Sequence, residues 1–157
     1  MPSLTLVDRL LEVADTLRES LPQSAAFRRR AVSTAYYAVF HSLAKLCCET
    51  LLPNTMRSDD AWQRVYRALD HGSLRRVLQQ SPLRSHPVLG VIGPLVIRLQ
   101  EERHRADYLP PQRDLYSPEE VTDLLGQARY VISELNKLDI GGRKLLATSL
   151  LFKERNP

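Results

Sequence analysis

The chain has 157 residues, 43% of them hydrophobic and 25% charged, with 22 Lys and Arg against 18 Asp and Glu and a formal net charge of +4. That length supports one domain's core without disulfides or metals, and the composition excludes collagenous, low-complexity and disulfide-framework proteins. The basic excess is mostly arginine, which suits bidentate contact with phosphate or carboxylate and raises the odds of an acidic partner without establishing one.

The opening MPSLTLVDRLLEVAD places acids where a secretory leader needs an uninterrupted apolar core. Ser3 is expected to cap a first helix whose Leu6, Leu10, Val13 and Leu17 recur at three-to-four spacing, ending near Leu21 and Pro22. Ser24 is expected to cap a long second helix, Ala25–Leu51, stopped by Pro53 and Asn54. Along it Tyr36, Phe40, Leu43, Cys47 and Leu51 form one stripe, and Ala31, Ala35, Ala38 and Ser42 a neighbouring stripe of small residues. Small residues admit a second helix closely while aromatics fill the space beside it, so core packing is the first explanation of this stretch. Arg28, Arg29 and Arg30, a run that usually forms a solvated basic face, sit at the positive end of that helix, where their charge is unfavourable unless an anion or carboxylate compensates. Cys47 and Cys48 are adjacent on a helix and point to different sides. They are read as reduced packing residues rather than a disulfide or a metal pair.

Ser58 and Asp59 start a third helix with Trp62, Val65, Tyr66 and Leu69 on one face, expected to end at His71 and Gly72. A short helical piece follows at 74–80. Pro82, Pro87, Gly90, Gly93 and Pro94 then predict an irregular connection, with a helix resuming from about Pro94. It carries the charged run QEERHRADY, and LPPQRDLY after it reads as a loop. SPEE is a strong start signal, with Ser117 as cap, Pro118 at the first helical position and Glu120 closing a capping box. The helix it opens runs to about Leu138 and stops at Gly141 and Gly142. A short amphipathic helix is expected within 144–154, packed on the core or on a second subunit. The apolar run 145–152 is too short to span a bilayer. The expected fold class is therefore all-α, one domain over 1–138 with four to five main helices and a C-terminal extension over 139–157. No membrane association is expected, and a cytoplasmic location is.

Ser33–His41, STAYYAVFH, resembles the SRAYYAxFH signature of small prokaryotic HEPN-domain proteins, and Arg103–Tyr108, RHRADY, resembles the RxxADY signature found further along the same family. The resemblance covers roughly 3–137 and departs at Thr34, where those proteins commonly carry Arg. It implies an up-and-down helical bundle that forms a homodimer. It also implies metal-independent ribonuclease chemistry of the toxin–antitoxin or defence type, through an Arg-x4–6-His motif completed across the dimer. A histidine would move the proton of the ribose 2′-hydroxyl or of the leaving 5′-oxygen, and an arginine would hold the scissile phosphate.

Arg98 and His104 fit that spacing in the expected neighbourhood and are the candidate catalytic pair. Arg64 and His71 also fit, but on the third helix. Arg28, Arg29, Arg30, Arg103 and Arg105 are the candidate RNA contacts, with Tyr36, Tyr37, His41, Asp107 and Tyr108 supporting the site. Catalytic relatives commonly carry a histidine two residues before the tyrosine, whereas Ala106 stands there in this chain. Arg103 and Asp107, four apart, can instead meet on one helix face as an internal network. Two readings therefore stand side by side. One is an RNA-binding protein with ribonuclease activity; the other is a non-catalytic helical module that regulates or neutralises a partner protein, for example a nucleotidyltransferase. No cofactor and no metal is expected in either, since no P-loop, HExxH or GxSxG pattern occurs.

Overall fold

The computed structural model describes residues 3–155. Among them every regular element is helical: α1 (Leu6–Glu19), α2 (Ala25–Leu51), α3 (Asp60–Ala68), α4 (His71–Leu78), α5 (Leu89–Tyr108), α6 (Pro118–Lys137) and α7 (Ile140–Leu151). The all-α expectation holds, and the seven helices correspond to the expected main helices together with the short pieces expected at 74–80 and within 144–154. No helix among the described residues is long and apolar enough to cross a membrane.

The helix starts follow local chemistry. Thr5, not Ser3, caps α1: its hydroxyl accepts from the Asp8 N–H at 3.2 Å, and the Asp8 carboxylate accepts from the Thr5 N–H at 2.9 Å. The Ser24 hydroxyl accepts from the Phe27 N–H at the head of α2, whose bounds are those expected. The capping box at α6 is also present, with Ser117 and Glu120 exchanging bonds of 2.8 and 3.1 Å.

Three further expectations are corrected. The third helix ends at Ala68, because Asp70 caps a new helix through the Gly72 N–H at 3.0 Å; His71 thus opens α4 rather than closing α3. Helix α5 begins at Leu89, five residues before Pro94, and runs through that proline. Its cap is His86, whose Nδ1 accepts from the N–H groups of Val88 and Leu89 at 3.1 and 3.2 Å, and whose carbonyl accepts from Gly90 at 2.8 Å. Gly90 is needed there for space: a Cβ would lie 2.4 Å from the Arg84 carbonyl oxygen. Gly141 and Gly142, read as a stop, lie instead in the first turn of α7, capped by Asp139 through the Gly142 N–H at 2.7 Å. A Cβ at Gly142 would fall 2.8 Å from Leu138 Cδ1, so glycine lets that leucine fold back over the turn.

The chain divides into two compact units. The first comprises the chain to His41 together with Arg98–Ser133. Within it α1 meets α6 through Asp15 and Arg129, and α5 meets α6 through Arg98 and Asp123 at 3.7 Å. Ala31, Val32, Ala35, Tyr36, Ala38 and Val39 of α2 are all fully enclosed, as are Val121, Ala128 and Val131 of α6. The small-residue stripe of α2 thus lies inside, as its pattern requires.

The second unit comprises Ser42–Ile97 and the chain from Glu134. Its core includes Leu43, Leu74, Leu83, Leu89 and Leu135, together with Leu146, Ala147 and Leu150 of α7. Helix α7 packs on α4, and Arg143 reaches Glu49 at 3.7 Å. Cys47 and Cys48 are both free and buried. Burial holds their thiols up at about 12 and about 11, and the Cys48 thiol donates to the Trp62 carbonyl at 3.4 Å. These are packing residues, not nucleophiles.

Candidate functional site

The two stretches that resemble family signatures meet in the first unit. Arg103 of α5 lies over the Tyr36 ring at 5.2 Å and near the Tyr37 ring at 5.9 Å, while its guanidinium faces Asp107 at 3.9 Å. Both partners of that ion pair are mostly covered, at 13% and 18% side-chain exposure, so the pair is shielded from solvent rather than being a surface contact. Arg103 Nε is buried without a hydrogen-bond partner among the described residues. The cation over a tyrosine face contributes on the order of 1 kcal/mol or more once desolvated.

Tyr36 is fully enclosed. Burial pushes its hydroxyl up to about 12, against the opposing pull of the Arg103 charge and of hydrogen bonds with Arg103 and Gln100. It stays a neutral phenol and supplies packing and hydrogen bonding. Tyr37 stands edge-on to it at 5.6 Å. His41 is half-buried, edge-on to Phe40 at 6.1 Å, and burial lowers its pKa.

The three arginines at the head of α2 separate sharply. Arg29 donates from Nε to the Ala106 carbonyl at 2.7 Å and from its terminal nitrogens to the Leu109 and Pro110 carbonyls. The compensating negative charge required at that helix end is thus the carbonyl terminus of α5, where the helix dipole is negative. Arg28 donates to the Tyr116 carbonyl at 3.3 Å, and its Nε is buried without a partner among the described residues. Arg30 alone is exposed.

Arg105 binds Glu102 at 3.0 and 3.1 Å, and the Tyr116 hydroxyl donates to the same carboxylate at 2.9 Å. The Tyr116–Glu102 contact has no counterpart in the sequence reading; the sole hint is that Tyr116 immediately precedes the SPEE start signal. Burial and the Glu102 carboxylate both push the Tyr116 phenol upward.

Arg98 and His104 are both exposed. Six residues apart on one helix, they project about 120° apart around the axis and stand about 9 Å apart along it. Within one chain they are therefore not presented to a single phosphate. His104 lies 4.8 Å from the Tyr108 ring, and Tyr108 is 67% exposed. Of the other pair, Arg64 is on α3 and His71 on α4, with the break at Leu69 and Asp70 between them. Among the described residues no three His, Cys, Asp or Glu side chains group as metal ligands.

No family model, curated protein or solved structure matches this chain.

Proposed function

We propose that this chain is a HEPN-like, RNA-directed protein of the toxin–antitoxin or defence type, with metal-independent cleavage carried by His104 and Arg98 drawn from two copies. The observation that supports it is the seat of Arg103 on Tyr36 and Tyr37, which packs the RHRADY stretch onto the STAYYAVFH stretch. In this reading Arg103, Asp107, Tyr36 and Arg29 hold the end of α5 in place. The exposed His104 imidazole takes the proton of the 2′-hydroxyl as its oxygen attacks phosphorus, and a protonated imidazole returns one to the departing 5′-oxygen. Arg98 holds the phosphate oxygens as charge develops on them. The angular separation of the two residues on α5 makes a homodimer part of the proposal, since only a second copy supplies the missing partner.

The test is cleavage of mixed cellular RNA in EDTA by the parent protein, His104→Ala and Arg98→Ala. Both variants lose activity, and mixing the two inactive proteins restores part of it, because each mixed dimer contains one site with both groups intact. Cleavage that survives both substitutions overturns the assignment.

A second reading has its own support: Arg28, Arg29, Arg103 and Arg105 all bind carbonyls or carboxylates of their own chain. That inventory favours a non-catalytic interaction module, and a parent protein that neither cleaves nor binds RNA selects it.

A further inference from the structure

Of the six glycines in the chain, only Gly126 has nothing within 4 Å of the place where a Cβ would stand. No glycine among the described residues has a positive φ, so backbone conformation does not call for it either. Gly126 lies exposed in the interior of α6. Glycine is the least favourable residue there after proline, and alanine would serve this chain's own helix better. What glycine offers instead is bare backbone, on which a second chain can settle closely.

The residues that share its side of α6 follow a regular order. Glu119, Asp123, Gly126, Tyr130, Ser133 and Lys137 alternate four and three apart, so they fall within a band of about 80° around the helix. All six are exposed, whereas Val121, Leu124, Ala128, Val131 and Leu135 on the other side are buried. Tyr130, one turn beyond Gly126, leaves 46% of its surface open. Ion pairs edge the band: Arg129 with Asp15 of α1, and Asp123 with Arg98 of α5 at 3.7 Å.

We propose that this face of α6 docks on the same face of a second copy, the two helices antiparallel about a twofold axis between Gly126 and Tyr130. The order of residues is self-complementary in that arrangement. Each Tyr130 ring covers the bare backbone at Gly126 of the other copy, each Glu119 meets Lys137, and each Asp123 meets Ser133. A parallel pairing in register would instead set Glu119 on Glu119 and Lys137 on Lys137. Lys137 is open to the contact, since its pair with Glu134 at 3.7 Å leaves it 72% exposed. Arg129, brought near its own counterpart, is already neutralised by Asp15. The proposal rests on the requirement for two copies in the reading above and names the face on which they meet, with Arg98 at its edge.

Sedimentation equilibrium of the full chain over a concentration series reads the dimer dissociation constant. Glu119→Lys and Lys137→Glu each create two like-charge contacts per dimer and are expected to weaken it at least about tenfold. The double variant E119K/K137E is expected to return to within about threefold of the parent, because opposite charges meet again with their places exchanged. An equimolar mixture of the two single variants is expected to form heterodimers for the same reason. Gly126→Gln is expected to raise the melting temperature of the monomer while weakening the dimer at least about tenfold, opposite signs that a glycine needed only by its own helix would not give.

A parent protein that stays monomeric throughout the series overturns the proposal. So does a dimer indifferent to Gly126→Gln and to both charge reversals, or one that the double variant fails to rescue. If RNA cleavage is nevertheless restored by mixing His104→Ala with Arg98→Ala, the ribonuclease reading stands and its dimer forms through another face. A dimer that follows the charge exchange in a protein that leaves RNA intact keeps this face and removes the ribonuclease reading.

Discussion

The C-terminal half of α5 and the outward face of α3 both present arginines at helical spacing, and the two groups have opposite fates. On α5, Arg103 is covered by tyrosine rings and faces Asp107, and Arg105 is held by Glu102. On α3, Arg64 and Arg67 stand exposed and form no ion pair among the described residues, while Asp59 and Asp70 are given over to helix caps. The residue type is the same; what differs is whether partners stand within reach, the tyrosine rings of α2 for Arg103 and carboxylates of α5 itself for Arg103 and Arg105. An arginine already paired with its own fold has little left to offer a ligand, because displacing its partners costs what the new contact gains. An unpaired one loses only hydration.

Substitution breaks that comparison most forcibly at Arg103. Arg103→Ala leaves Asp107 partly buried without its cation and uncovers the faces of Tyr36 and Tyr37, so chemical denaturation is expected to show a loss of about 3 kcal/mol. A loss below ~1 kcal/mol would mean that the network is a surface decoration after all.

The next effect is a pH dependence. Tyr36 ionises at about 12 in the folded protein and near 10 in the unfolded chain. The unfolded state therefore releases its proton first, and stability falls as pH rises from 10 towards 12. Tyr36→Phe should lack its share of that alkaline loss, on the order of 1–2 kcal/mol, in denaturation midpoints compared at pH 8 and pH 11. An identical alkaline slope in the two proteins would remove Tyr36 as its source.

The smallest effect sharpens the other side. Arg64→Gln is expected to change stability by less than about 0.5 kcal/mol, since the side chain is exposed and makes no ion pair among the described residues. A larger loss in the melting curve would show that α3's arginines also serve the fold.

Much of the helical plan was legible because the signals were local. Ala25–Leu51 and the Ser117–Glu120 capping box follow from residues a few positions apart. Core packing of the aromatic stretch was legible too, since Tyr36 and the alanines beside it repeat at helical spacing. What escaped depended on partners distant in the chain or on unusual use of a residue. Histidine is seldom a helix cap, so the start of α5 at Leu89 was hidden behind two prolines. Gly141 and Gly142 carry a stop signal that Asp139 overrides by capping, and only the fold-back of Leu138 explains why glycine stands there. The spending of Arg29 on the end of α5 could not be read at all, because a carbonyl terminus leaves no mark in composition. The Arg98 and His104 spacing was visible, but spacing does not reveal that six residues turn two side chains away from each other.

The burial of α7 bears on how this chain tolerates being shortened. A polypeptide ended after Leu138 would lack Leu146, Ala147 and Leu150, and the side of α4 on which α7 packs would lie bare, beside the greasy surface of Leu74 and Leu78. Such a fragment would keep both signature-like stretches and yet clump in solution. A frameshift near Gly141 is then expected to cost the protein its solubility, with every residue of the candidate site still in place.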